Sequence, residues 1–304
     1  MLKTSMRYFL AVVQHGSIRA AAEALLINQS AISRQIQSLE EEYEATLLDR
    51  HARGVRLTPA GELLFSAIRE IGFASERAKS EISALQGLKR GHIKIHAIES
   101  MLQSVIPNVI EKFHEQFPGV NFEVILSGSD AVVTAVRNGE TDFGLTLGTH
   151  ATPGVKTIYK MDCRLTAIMR PDHPLAASRN LSIANLATWP VGVATRPTGT
   201  RQLFDDACRS RGVDILPKLE TNSVELLHQF AFIQDAVVVT SDVVLAGSIK
   251  AGRLVARPLA EAELNSGSFE VLVMVGRKQT VAAERFLLFL GRAFERSPAE
   301  RNGA

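Results

Sequence analysis

The chain has 304 residues, 46% of them hydrophobic and 22% charged, with a formal net charge of +2. That length suggests about two domains with ample core material, and the near balance of charge excludes a bulk polycation. Cys163 and Cys208 lie far apart and form no CxxC pair, which argues against a disulfide framework or a zinc site and suits reduced thiols.

Met6, Phe9, Leu10 and Val13 form an apolar helical stripe ending at His15-Gly16, where glycine can take the left-handed cap. Ser17 then reads as the N-cap of a second helix, with Ile18, Ala21, Ala22 and Leu25 facing inward. A short turn, Leu26-Ile27, leads to Asn28, a second N-cap, and to the helix NQSAISRQIQSLEEEY. At ~100° per residue, Ile32, Ile36, Leu39 and Tyr43 share one side of it. Ser30, Ser33, Arg34 and Gln37 cluster on the other, beside Gln29. The wet face of an ordinary surface helix alternates charges, whereas here the acidic run Glu40, Glu41, Glu42 comes only at the end. Taken alone, the stretch reads either as a solvated surface helix or as a major-groove reader. Two short helices, a tight turn and a polar-faced second helix favour a helix-turn-helix. Beyond it, Gly54 can turn a small hairpin whose flanks carry Arg50, Arg53 and Arg56, a basic wing suited to phosphate or minor-groove contact.

Thr58 and Pro59 suit the start of a long helix. Leu64, Ile71, Ala78 and Leu85 recur every seven residues, with Ala67, Ile68, Ala74 and Ile82 beside them, a coiled-coil-like seam that calls for a partner helix. The texture changes at His92: IKIHA, VNFEVILS and DFGLTL read as strands alternating with helices, which predicts a parallel sheet, and a second half repeats the order. The last strand, SFEVLVMVG, and closing helix return to the first lobe, so the chain crosses between two α/β lobes near Asp162 and Gly267. Small hydroxyls follow three strands, at Ser100, Ser129 and Thr200, where parallel sheets place ligands and helix N-termini favour anions. Arg196 and Arg201 are candidates for a carboxylate clamp, and Ser223 for the lining of the second lobe; ordinary N-capping is the alternative role of the hydroxyls.

The run GSIRAAAEALLINQSAISRQIQSLEEEYEATLLDRHARGVRLTPAG resembles the N-terminal signature of the LysR-type transcriptional regulators, and FPGVNFEVILSGS, RNGETDFGL and MRPDHPLA resemble that family's effector domain more loosely. The resemblance implies base reading by Gln29, Ser30, Ser33 and Arg34, with Gln37 a weaker candidate and Arg53 the wing contact. It implies antiparallel pairing of the linker helices and effector contacts at Ser100, Ser129 and Thr200. Three departures stand out: Leu26 at a turn position usually small or polar, Tyr43-Glu44 in place of Leu-Gly, and Leu48 in place of Phe.

The fold expected is α/β overall: an all-α winged helix-turn-helix at 1–58, a linker and dimerisation helix at 59–88, and a two-lobed effector-binding domain, similar to periplasmic solute-binding proteins, at 89–304. Lobe I would take 89–161 and 268–304, and lobe II 162–267. The function expected is that of a DNA-binding transcriptional regulator controlled by a small organic anion, acting as a homodimer or homotetramer on a pseudo-palindromic promoter site, with RNA polymerase a candidate partner. The second reading is a cytoplasmic solute-binding protein without DNA readout. No GxSxG, HExxH, Walker or GxGxxG motif occurs and His92, His96, His114 and His228 show no ligand spacing, so no enzyme, metal or cofactor is expected. MLKTSMRYF has no apolar signal core and no run reaches the roughly 20 residues of a membrane span, so a cytoplasmic location off the membrane is expected.

Overall fold

The computed structural model describes residues 2–51, 54–85, 87–148, 151–178 and 180–295, which divide into two units between Ile82 and Ser83. In the first, α1 (Thr4–His15), α2 (Ile18–Leu25) and α3 (Gln29–Glu42) precede a hairpin of β1 (Leu48–His51) and β2 (Gly54–Leu57), and α4 (Pro59–Leu85) follows. α1 stops at Gly16, whose φ of 73° costs glycine little. Ser17 Oγ accepts from Ala20 N at 3.0 Å and starts α2. Leu26 closes α2 in the left-handed region at φ 56° with its side chain 92% exposed, and Glu44 does the same beyond α3 at φ 49°. Each non-glycine residue there costs on the order of 1 kcal/mol, so two of the three departures in this module carry backbone strain. Asn28 stands at the N-cap of α3, but its side chain makes no capping hydrogen bond; its carbonyl accepts from Ala31 N at 3.0 Å.

The core of this unit joins Phe9, Val12, Ala21, Ala22, Ile32, Ile36, Leu39 and Leu47 to Leu64 and Ile68 of α4. Tyr43 and Leu25, expected to face inward, are exposed. The wing is pinned at both ends. Val55 N donates to Gly16 O at 2.9 Å, and a side chain at Gly54 would collide with that carbonyl. Thr58 Oγ1 donates to Thr46 O at 2.7 Å and accepts from Gly61 N at 3.0 Å, capping α4. Because Leu64 and Ile68 are buried in this core, they do not belong to the outer seam that a strict heptad predicts. The exposed apolar line on α4 is instead Leu63, Ala67, Ile71, Ala74, Ala78, Ile82 and Leu85. It runs along a 27-residue helix about 40 Å long.

The second unit contains β3 (Gly91–Ala97), α5 (Glu99–Ser104), α6 (Ile106–Gln116), β4 (Val120–Leu126), α7 (Ser129–Arg137), β5 (Phe143–Leu147), β6 (Val155–Cys163) and β7 (Leu165–Met169). It continues with β8 (Val191–Ala194), α8 (Gly199–Arg211), β9 (Leu219–Thr221), α9 (Val224–Phe230), β10 (Val237–Ser241), α10 (Ala246–Lys250), β11 (Val255–Pro258), β12 (Gly267–Met274) and α11 (Val281–Glu295). The strands form two five-stranded sheets, ordered β4-β3-β5-β12-β6 and β11-β7-β10-β8-β9. Both are mixed rather than parallel. β4, β3 and β5 run parallel, as do β9, β8 and β10, while β12 and β6 in one sheet and β7 and β11 in the other are antiparallel to their neighbours. The reason is the exchange between lobes, because a strand that arrives from the other lobe enters with its direction reversed. β6 keeps Asp162 and Cys163 in the first sheet and β12 begins there at Gly267, so the crossings fall at Arg164 and Ser266, slightly inside the bounds expected from sequence.

α7 covers one face of the first sheet, where a side chain at Gly144 would clash with Val132 and Val136. An aromatic cluster fills the other face: Phe286 of α11 stacks on Phe143 at 5.7 Å and meets Phe113 and Phe122 at 5.2 Å. Phe286→Ala is expected to destabilise this unit by about 3–5 kcal/mol, read as a lowered urea midpoint with Trp189, the single tryptophan, as the fluorescent reporter.

Candidate nucleic-acid interface and ligand site

On α3, Gln29, Ser30, Arg34 and Gln37 are exposed and Ser33 is half-buried, opposite the fully buried Ile32, Ile36 and Leu39. The Arg34 guanidinium lies back along the helix, its Nε donating to Ser30 O at 3.3 Å. Gln37 Nε2 donates to Glu41 Oε1 at 3.0 Å, which turns its amide toward the acidic end of the helix. Arg53 lies outside the described residues. Arg50 and Arg56 are exposed on β1 and β2, with Arg56 across from Asp49. Glu40 was not legible as a functional residue, because it opens an acidic run. Its Oε1 nevertheless accepts from Leu47 N at 2.8 Å and Leu48 N at 3.3 Å, fastening the start of the wing to the helix. No acid precedes Glu40 on α3, so the outward face offers donors and one cation to an anionic surface.

The four candidate hydroxyls of the second unit all follow strand ends. Ser100 is the second residue of α5, where its carbonyl accepts from Ser104 Oγ at 2.6 Å. Ser129 opens α7 after Gly128. Thr200 is the second residue of α8, and the cap of that helix is Thr198, whose Oγ1 accepts from Arg201 N at 3.3 Å and donates to Thr195 O at 2.7 Å. Thr198 Oγ1 and Thr200 Oγ1 are 3.4 Å apart. Ser223 caps α9, its Oγ accepting from Leu226 N at 3.3 Å. A side chain at Gly199 would come within 3.1 Å of Leu147 Cδ2, so the start of α8 abuts the end of β5 in the other lobe. The start of α8 in one lobe and the end of β5 in the other therefore come together there.

Arg201 does not form the expected clamp. Its side chain is 4% exposed, and its guanidinium is fully engaged inside the protein. Nε donates to Asp205 Oδ1 at 2.8 Å, Nη2 to Glu220 Oε1 at 3.2 Å and Nη1 to Ala194 O at 3.2 Å. Arg196 is exposed, but it binds the same carboxylate, with Nε and Nη2 each 2.7 Å from Asp205 Oδ2. Burial pushes the Asp205 carboxyl up, and the two guanidiniums outweigh it and hold the group below the usual aspartate range. Burial likewise disfavours the Arg201 cation, while Glu220 and Asp205 more than restore it. Two cations and two carboxylates leave the cluster neutral. Burial also pushes the Cys163 thiol up to about 12 and the Cys208 thiol to about 11, so both stay protonated at neutral pH. Among the described residues, no group of three or more His, Cys, Asp or Glu could hold a metal ion, and no helix is long and apolar enough to cross a membrane.

Residues 4–62 match the family model described as "Bacterial regulatory helix-turn-helix protein, lysR family", and residues 86–295 match "LysR substrate binding domain". The chain is 30% identical over 224 residues to the RuBisCO operon transcriptional regulator of Allochromatium vinosum, covering 74% of each. A full-length OxyR variant from Pseudomonas aeruginosa superposes with a TM-score of 0.67 at 19% identity, over 99% of this chain and 97% of that one. CbnR complexed with its target DNA gives a TM-score of 0.56 at 18% identity, over 97% of this chain and 100% of that one.

Asp205→Asn removes the carboxylate that holds two guanidiniums, and is expected to cost about 3 kcal/mol at neutral pH. The folded carboxyl titrates below its ordinary value of 3.8, so its contribution is complete above that value and fades as pH falls through the depressed one. Urea unfolding measured down the acid limb should show this loss in the wild type and not in the variant.

Proposed function

The chain belongs to the LysR family of bacterial transcriptional regulators, with an N-terminal helix-turn-helix and a two-lobed effector-binding domain, and from that premise we propose how its residues divide the work. Gln29, Ser30, Ser33 and Arg34 read base edges or adjacent phosphates from α3, with Gln37 assisting and Arg53 touching the backbone or minor groove from the wing. The observation that carries this reading is the outward face of α3, held from behind by three buried aliphatic side chains and free of acids up to Glu40. Two such heads, brought together by pairing of the exposed apolar line on α4 with the antiparallel helix of a second copy, suit a pseudo-palindromic site. The protein acts in the cytoplasm as a homodimer or homotetramer, contacts RNA polymerase at its promoters, and has no catalytic activity of its own. The division we assign is reading head 1–58, pairing helix 59–88 and effector domain 89–304.

The effector in this reading is a small organic anion at the joined strand ends. Ser100, Ser129 and Thr200 contact it, Ser223 lines the second lobe, and Arg196 stands at the rim with its charge shared by Asp205. Since Arg201 is neutralised inside the protein, the positive potential comes from free backbone N–H groups at the starts of α7 and α8. Tighter binding to one arrangement of the two lobes than to the other respaces the reading heads.

Arg34→Ala is expected to weaken operator binding by at least about 1 kcal/mol, roughly fivefold. A gel-shift titration giving wild-type affinity would overturn the assignment of the reading face. Thr200→Val is expected to weaken binding by about tenfold for whichever carboxylate in a calorimetric panel of small organic acids binds the wild type. Unchanged affinity would remove the strand ends as the effector site.

A further inference from the structure

Three successive acids, Glu40, Glu41 and Glu42, close α3, and each is engaged in a different direction. Glu40 accepts from the amides of Leu47 and Leu48 and holds the wing. Glu42 Oε1 pairs with Lys3 Nζ at 2.6 Å, tying the end of α3 to the residue that precedes α1. Glu41 turns to the reading face, where its Oε1 accepts from Gln37 Nε2 at 3.0 Å. Ser30, Arg34, Gln37 and Glu41 are spaced four, three and four, so they form one stripe along the helix. Arg34 reaches the other way, to Ser30 O at 3.3 Å, and leaves this carboxylate to Gln37. An exposed pair one turn apart adds little to helix stability. What it does fix is which atom of the amide is free. A carboxylate accepts and does not donate, so it takes the N–H side of Gln37 and leaves Oε1 directed away from it. Among the described residues, that oxygen has no protein partner.

We propose that Glu41 is a positioning residue that makes Gln37 a reader of adenine, an inference that rests on the assignment of α3 as the reading helix. An amide free to rotate about its last bond can serve two purines. It can offer Oε1 and an N–H to adenine N6 and N7, or turn its N–H groups to guanine O6 and N7. Held by Glu41, Gln37 keeps the first arrangement. Its Oε1 accepts from the adenine N6 amino group, and the second N–H of Nε2 donates to N7. Guanine puts O6 where that amino group stands, so two oxygens face each other and the hydrogen bond is lost. Cytosine supplies an amino group without N7, and thymine supplies neither. The charge of Glu41 adds a signature of its own. A carboxylate beside the phosphates opposes the binding of every duplex alike, so Glu41 lowers overall affinity while it sharpens selection.

The test takes the full-length protein and a duplex that the wild type selects from a randomised DNA library. That duplex is remade with every base pair at each position and titrated by fluorescence anisotropy at one fixed salt concentration. One position in each half-site should favour adenine over guanine by about tenfold or more. Gln37→Ala should erase that preference and leave the other positions unchanged. Glu41→Ala should shrink it to about twofold, through a gain on the guanine duplex rather than a loss on the adenine one. Circular dichroism establishes that each variant is folded. A merely structural role for Glu41 would weaken all duplexes in parallel, and that result, or an unchanged profile, overturns the proposal. It is overturned equally if no adenine preference responds to Gln37→Ala. Arg34→Ala separates this failure from that of the underlying assignment. If Arg34→Ala weakens binding and only the Glu41 result fails, α3 remains the reading helix and the positioning role alone is lost. If Arg34→Ala and Gln37→Ala both bind every duplex as the wild type does, the reading helix and the positioning role fall together.

Discussion

Complete burial of Ile32, Ile36 and Leu39 is what the DNA-reading half of this molecule depends on. Each such side chain contributes roughly 1.5–3 kcal/mol when withdrawn from water, and the three together fix not only the position of α3 but its rotation. A helix cannot turn one face without turning the other, so the inner aliphatics aim Gln29, Ser30, Ser33 and Arg34 outward. Gln29, Ser30 and Arg34 are exposed there and Ser33 is half-buried. The same core receives Leu64 and Ile68 from α4, and Glu40 ties the wing to the reading helix through two backbone amides. Helix, wing and linker thus share one small apolar centre.

The sensor half is organised by a different constraint, namely the two crossings of the chain between sheets. They explain why a β-α-β order that begins in parallel fashion acquires antiparallel strands at one side of each sheet. Arg201 is needed where α8 meets β8 and β9, gripping Ala194 O, Asp205 and Glu220, and so its charge is committed to architecture. In the proposed effector site, what remains to attract an anion is a set of oriented backbone dipoles and hydroxyls. These act over short distances and select by shape, whereas a free guanidinium would attract any carboxylate.

Much of this was legible in the sequence wherever the physics is local. Helical periodicity placed α1 to α4, and small hydroxyl residues marked the helix starts. The buried side of α3 followed from spacing alone for Ile32, Ile36 and Leu39. The failures share one cause, which is that the deciding neighbour is distant in the chain. Leu64 and Leu63 are adjacent and chemically alike, and only the N-terminal core determines which is buried. Arg201 resembled a ligand clamp although Asp205, four residues on, already offered it a partner; its second carboxylate, Glu220, lies 19 residues away on another strand and is invisible to a local reading. Strand direction in β12 depends on where the chain has been, not on its own residues.

The linker helix has a mechanical meaning that follows from its two faces. Within one uninterrupted α4, Leu64 and Ile68 are locked in the reading head while Ile71, Ala74 and Ala78 look the other way. The helix therefore sets a torsional phase between head and exposed line, at about 100° for every residue. Drift by a single inserted or deleted residue would wind the line away from whatever covers it, even though length and composition hardly change. Lengthening by whole turns would preserve the phase and alter only the reach. This segment of the chain is a clocked shaft, and its residue count is as much a part of the design as its residue types.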